Sequence, residues 1–238
     1  MIRLGVTGTD TGVGKTVIAC ALVAVLRQRG LRVAAMKPVE TGGAADADRL
    51  RAAAGGEDAP SDVCPVTFAE PLAPLVAAQR LGHPIDIAAL DAAFARLSAR
   101  RDAVVVEGAG GLLVPLTEQV SVRELFARWR LGLIVVAANR IGAINNALLT
   151  VHAARAAKLP VRALVLNSLT LERCDVAAET NGDTLAHLLR RIPVFTWPWL
   201  DDLSDQALVA QAERCGLAGL IDVPARRRTQ LHRTGQTT

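Results

Sequence analysis

Five short apolar runs, at 2–7, 31–36, 103–106, 133–138 and 161–166, are rich in Val, Ile and Leu and end at Gly, Pro or charged residues. Unbroken runs of this kind are how strands buried on both faces read, whereas a half-exposed strand alternates. The stretches 15–29, 86–100, 121–130, 143–158, 175–191 and 204–214 carry apolar residues at mixed three- and four-residue spacing, which predicts helices. Strands alternating with helices predict an α/β fold, with a mainly parallel sheet flanked by helices on both faces. Ligands of such sheets bind beyond the carboxyl ends of the strands, so the residues following each run are the ones to search. Pro60, Pro65, Pro71, Pro74 and Pro84 make 60–84 the least regular internal stretch, expected as an excursion over the sheet edge.

Composition narrows the function classes. The 27 basic and 23 acidic residues give a net charge of +4. Arg226, Arg227, Arg228 and Arg233 all fall in the acid-free segment 224–238, and without them 23 basic residues face 23 acidic ones. The expectation is a charge-balanced domain over 1–223, a disordered basic tail over 224–238 and no nucleic-acid partner. Cys20, Cys64, Cys174 and Cys215 lie far apart without a zinc spacing or a disulfide framework, which fits a reducing, cytoplasmic setting. No apolar stretch approaches the ~18 residues of a membrane span, and the N-terminus is expected to be a strand and not an export signal. Only three lysines occur, Lys15, Lys37 and Lys158, and two of them fall in the motifs below.

The first predicted strand runs into Gly8-Thr9-Asp10-Thr11-Gly12-Val13-Gly14-Lys15-Thr16, followed by the helical Val17-Ile18-Ala19. This is a phosphate loop: glycines let backbone N–H groups turn toward an anion, the helix start adds partial positive charge, Lys15 reaches β- and γ-phosphates, and Thr16 can ligate Mg2+. Five residues separate Gly8 from Gly14, one more than in the common form. The second strand ends in Met36-Lys37-Pro38-Val39-Glu40-Thr41, where Pro38 bars a helix and leaves Lys37 at the rim, facing the phosphates.

Asp46 and Asp48 follow in a stretch that turns helical; either could complete a magnesium shell, and either could simply charge a helix start. Glu107, with Gly108-Ala109-Gly110-Gly111 after it, closes the third strand where P-loop enzymes hold a metal or its water. Asn139-Arg140-Ile141-Gly142-Ala143-Ile144-Asn145 follows the fourth strand and opens a helix whose free N–H groups can take a carboxylate. Asn167-Ser168 follows the fifth, and alone neither Asn-containing segment is specific.

With these residues assembled, the chain resembles the dethiobiotin synthetase family over about residues 2–200. The match rests on Thr7–Thr11 with Val13–Thr16, on Lys37-Pro38-Val39 with Thr41-Gly42, and on Asp46-Ala47 with Leu50. Phe68–Pro71, Val106–Gly111, Gly142 with Ile144-Asn145, and Pro198-Trp199-Leu200 extend it. The resemblance implies a homodimeric enzyme that converts 7,8-diaminononanoate (7,8-diaminopelargonate), CO2 and MgATP to dethiobiotin, ADP and phosphate. It implies that Lys15 and Lys37 are catalytic and that Thr16, Asp46 and Glu107 hold Mg2+, which selects Asp46 over Asp48. ATP would contact Gly12, Val13, Gly14, Lys15, Thr16, Val17, Asp46, Glu107, Gly108, Ala109, Gly110, Asn167, Ser168, Pro198, Trp199 and Leu200. Substrate would contact Thr11, Lys37 and Thr41, with Gly142, Ala143 and Asn145 of a neighbouring subunit receiving its carboxylate.

Two positions depart from the family pattern. Gly12 stands where some relatives carry an acid, and Phe195–Leu200 is one residue shorter than the usual turn near the base, from which weak base discrimination is expected. The rival reading is a P-loop switch ATPase of the partitioning or division-site type. Such proteins carry a second lysine early in the loop, and Gly8–Thr11 contains none.

Overall fold

A computed structural model of the chain describes residues 1–171 and 176–221; the predicted tail at 224–238 lies outside them. Strands are β1 (Ile2–Gly8), β2 (Val33–Met36), β3 (Val39–Thr41), β4 (Val66–Phe68), β5 (Ala103–Gly111), β6 (Gly132–Ala138), β7 (Val161–Asn167) and β8 (Val194–Trp197). Helices are α1 (Lys15–Gln28), α2 (Ala45–Ala53), α3 (Pro60–Val63), α4 (Pro74–Leu81), α5 (Ile87–Ser98), α6 (Val122–Arg128), α7 (Ala143–Ala156), α8 (Val176–Leu189) and α9 (Asp205–Arg214), with a short 3-10 turn at Leu217–Leu220. None of the described helices is long and apolar enough to cross a membrane.

Six strands form one sheet in the order β2-β5-β1-β6-β7-β8, and every pairing is parallel. A small parallel pair, β3 with β4, stands apart. From β1 the chain crosses toward β2 on one side and later continues through β6 on the other. That reversal places a crevice at the carboxyl end of β1.

Successive residues of the central strands feed two cores. Leu4 and Val6, Ala103 and Val105, and Ile134 and Val136 join the core beneath α1 and α9. Val104 and Val106, Leu133 and Val135, and Leu164 and Leu166 join the core on the opposite face, beneath α5, α6 and α7. The period of two continues to the strand ends. It puts Lys37, next after Met36, and Glu107, next after Val106, on the α1 face.

Three expectations need correction. The stretch 60–84 is not irregular: it holds α3, β4 and α4, because Pro60 and Pro74 each sit in a first helical turn, where a missing N–H costs nothing. The third predicted strand, 103–106, is longer than expected: β5 continues through the glycines to Gly111, and Gly111 pairs with Gly8. β8 had no predicted counterpart, because its four residues, with an exposed Thr196 between Phe195 and Trp197, make no apolar run.

Candidate active site

The phosphate loop bridges β1 and α1. Gly14 holds φ at +89°, and a Cβ there would lie 2.1 Å from Asn167 Nδ2. Asn167 in turn donates from Nδ2 to the Val13 carbonyl at 3.0 Å, so the end of β7 props the loop from beneath. Only a glycine meets both demands. Val13 is itself buried as the loop's underside. Gly12 has φ +72° and open space around it.

A cleft of about 520 Å³ opens above this loop. It brings together Thr11, Gly12, Gly14, Lys15, Thr16 and Val17 from the loop with Lys37, Thr41, Asp46, Glu107, Ala109 and Gly110. Register explains the meeting of two of them: β2 pairs with β5 as Met36↔Val106, and the next step sets Lys37 beside Glu107. Lys37 Nζ donates to Glu107 Oε1 and, at 3.0 Å, to Asp46 Oδ2. Thr16 Oγ1 donates to the same Glu107 oxygen at 3.1 Å. Lys15 Nζ donates to the Asp10 carbonyl at 3.1 Å.

Burial sets the electrostatics. Glu107 is fully buried, and desolvation pushes its carboxyl above the usual range although Lys37 opposes the shift. For Lys37 burial pulls downward, but Glu107 and Asp46 outweigh it and the ammonium is held above its ordinary value. Lys15 is lowered by burial and then by the charge of Lys37. At Asp46 burial pushes upward, and the Lys37 charge and hydrogen bonds from Lys37 and Thr16 more than reverse it. Two neighbouring ammonium groups aimed into one cleft make a site that an anion relieves.

The donor set fits a hydrated hard cation. Glu107 Oε2 is buried with no hydrogen-bond partner, Thr16 and Asp46 lie alongside, and Asp46 is 42% exposed toward the cleft. A hydroxyl and two carboxylates leave room for the waters and phosphate oxygens that Mg2+ keeps. Asp48, by contrast, is exposed.

Other expected positions fall elsewhere. Gly108 faces away from the loop, since a Cβ would meet Val122 at 2.8 Å; its smallness serves the packing of α6. Ser168 is tied to β8 through its amide and the Trp197 carbonyl. Trp197 is 1% exposed and part of the core, while Pro198 and Trp199 are exposed beyond it, and Trp199 donates to Asp201 at 3.0 Å. Gly142, Ala143 and Asn145 do not line the cleft; Asn145 is exposed at the start of α7.

Sequence reasoning passed over two groups. The Pro71–Pro74 loop walls the cleft, as does Arg49 of α2. Glu40 is buried, and its two carboxylate oxygens accept from the amides of Asp46 and Ala47, each at 2.9 Å. An acid between Val39 and Thr41, just past the second predicted strand and followed by a helix with Ala44 at the capping position, was the available signal.

A parallel sheet with a phosphate loop at its reversal point, two buried lysines and paired carboxylates defines a P-loop nucleotide-dependent enzyme. The AAA domain family matches residues 3–207. The ATP-dependent dethiobiotin synthetase BioD of Anaeromyxobacter dehalogenans (strain 2CP-C) is 45% identical over 87% of this chain and 94% of its own length. Its namesake from Thermodesulfovibrio yellowstonii is 34% identical over 84% and 89%, respectively. The chain belongs to the dethiobiotin synthetase family. The signal recognition particle receptor FtsY of Elizabethkingia anophelis shares the fold alone, with 19% identity, a TM-score of 0.50 and coverage of 86% of this chain and 60% of that one.

Proposed function

We propose that the chain is a dethiobiotin synthetase that closes the ureido ring of dethiobiotin from 7,8-diaminononanoate, CO2 and ATP in biotin biosynthesis, with the cleft above the phosphate loop as its active site. The observation that carries the site assignment is Lys37, held as an ammonium between Asp46 and Glu107 across from Lys15.

In this reading one substrate amine adds to CO2 and gives up a proton, leaving a carbamate anion. A carbamate oxygen attacks the γ-phosphorus and ADP leaves; the second amine then attacks the carbonyl carbon, expels phosphate and loses a proton to solvent. Each step moves negative charge and none needs a protein nucleophile, so positioning and charge neutralisation suffice. Lys37 faces the carbamate, Lys15 the transferring phosphoryl group, and the loop amides from Gly12 to Val17 the remaining phosphate oxygens. Mg2+, when bound, neutralises charge on the β- and γ-phosphates, and Thr16, Asp46 and Glu107 would hold it. Thr11 and Thr41 line the cleft and would contact the substrate. Ala109 and Gly110 line the cleft beyond Glu107, and the family pattern would have Gly108, Asn167, Ser168, Pro198, Trp199 and Leu200 contact ATP.

The test is product identification with the diamine, bicarbonate and MgATP. Dethiobiotin, ADP and phosphate are expected in equal amounts, with ATP hydrolysis dependent on the diamine. Diamine-independent hydrolysis without dethiobiotin would support the switch-ATPase reading instead.

A further inference from the structure

Helix α2 begins without a cap of its own. Its N-cap residue is Ala44, which offers no side-chain acceptor, yet the helix carries Asp46 and Asp48 in its first turn. The second and third helical amides, Asp46 and Ala47, are the donors that an N-cap side chain normally satisfies. Here both are taken at 2.9 Å by the two oxygens of Glu40, a buried residue at the middle of β3. The cap is therefore supplied from another element, and it fixes where the helix starts relative to β3 as well as satisfying its amides.

That start matters because Asp46 is both a recipient of the Glu40 contact, through its amide, and a partner of Lys37, through its carboxylate. Exposed at 42%, the Asp46 side chain is held by Lys37 and Thr16 more than by packing, and the backbone beneath sets whether it reaches them. Gly42 and Gly43, both at positive φ, leave the β3–α2 connection with little stiffness of its own.

We infer that Glu40 is a positioning residue for the metal site: it clamps the first turn of α2 to β3 and so presents the Asp46 carboxylate beside Thr16 and Glu107. This rests on the reading above that Asp46 is a metal ligand. Groups that orient a ligand from behind commonly control metal affinity by about 10- to 100-fold.

The experiment compares wild type, Glu40→Gln, Asp46→Asn and the double variant. Mn2+ binding to each full-length protein with β,γ-imido-ATP is followed by electron paramagnetic resonance, and hydrogen exchange is followed in the peptide spanning Asp46 and Ala47. Glu40→Gln keeps the volume but leaves one acceptor facing two donors. It is expected to speed exchange at the start of α2 and weaken Mn2+ binding about tenfold. In the Asp46→Asn background the same change should have no further effect on Mn2+. If Asp46→Asn leaves Mn2+ affinity at the wild-type value, the ligand reading fails. If Asp46→Asn weakens it but Glu40→Gln does not, or the two effects multiply, the positioning role of Glu40 is overturned. Should Glu40→Gln not fold, Glu40→Asp, which keeps the charge on a stem one carbon shorter, takes its place under the same criteria.

Discussion

Lys37 is the residue on which the proposed chemistry turns. It is buried, its charge is sustained by Asp46 and Glu107, and its neighbour across the cleft is a second lysine whose own charge burial disfavours. An ammonium already oriented by two carboxylates needs no reorganisation when negative charge develops before it, which is where such groups gain most. Lys37→Ala is expected to remain folded and to lower kcat by about 10²-fold or more. Steady-state turnover with a melting curve checks it, and a folded variant turning over near the wild-type rate would remove Lys37 from the mechanism. The lysine was legible in the sequence because Pro38 and the preceding run fix it at a strand end. Its pairing with Glu107 was not, because that depends on β2 and β5 being neighbours, which no local pattern encodes.

At the scale of elements, legibility followed burial. β1, β2, β5, β6 and β7 each contain an unbroken apolar run and were recognisable; β3 and β4, three residues each, carry too little pattern to register. Prolines at helix starts read as breakers when they were openers, and a cap supplied by Glu40 from another strand is invisible to any local motif. Helix α6 shows a local device that a sequence does carry. Ser121 accepts from the Arg123 amide at 3.1 Å while Glu124 accepts from the Ser121 amide at 2.9 Å, a capping box. The helix it starts presses Phe126 against Gly5 and Val122 against Gly108, so the cap supports the strand that holds Glu107. Burial pushes the Glu124 carboxyl up, but hydrogen bonds from Ser121 and Arg123 prevail and hold it at about 2. Because the folded value lies below the ordinary 4.5, this stabilisation is complete above pH 4.5 and disappears as pH falls toward about 2. Glu124→Gln should lower Tm by about 2 °C at pH 7, the worth of a partly exposed cap. The gap from wild type should narrow between pH 5 and pH 3. Melting curves across that range decide it, and a gap independent of pH would mean the carboxylate charge contributes nothing.

The whole molecule raises the question of where the substrate carboxylate goes. Within one chain the cleft holds the groups proposed for phosphate, metal and carbamate, yet Gly142, Ala143 and Asn145 at the start of α7 lie outside it. Near that helix start Ile141 is 80% exposed beside the exposed polar Arg140, Asn145 and Asn146, and Leu149 further along α7 is 61% exposed. We propose that a second copy brings its α7 start to the cleft, completing the site in a homodimer. A two-fold dimer built this way makes a specific prediction for mixtures. Lys37→Ala and Asn145→Ala each damage both sites of their own homodimer. In a hybrid, however, one site collects both lesions and the other receives an intact Lys37 from one chain and an intact Asn145 from the other. Random exchange makes half the dimers hybrids, so activity should recover to about a quarter of wild type. Sedimentation establishes the dimer and a tagged subunit establishes exchange; turnover of the mixture is then the deciding measurement. Activity that stays at the average of the two variants after exchange, or a chain that sediments as a monomer while fully active, would show that each site is complete within one subunit.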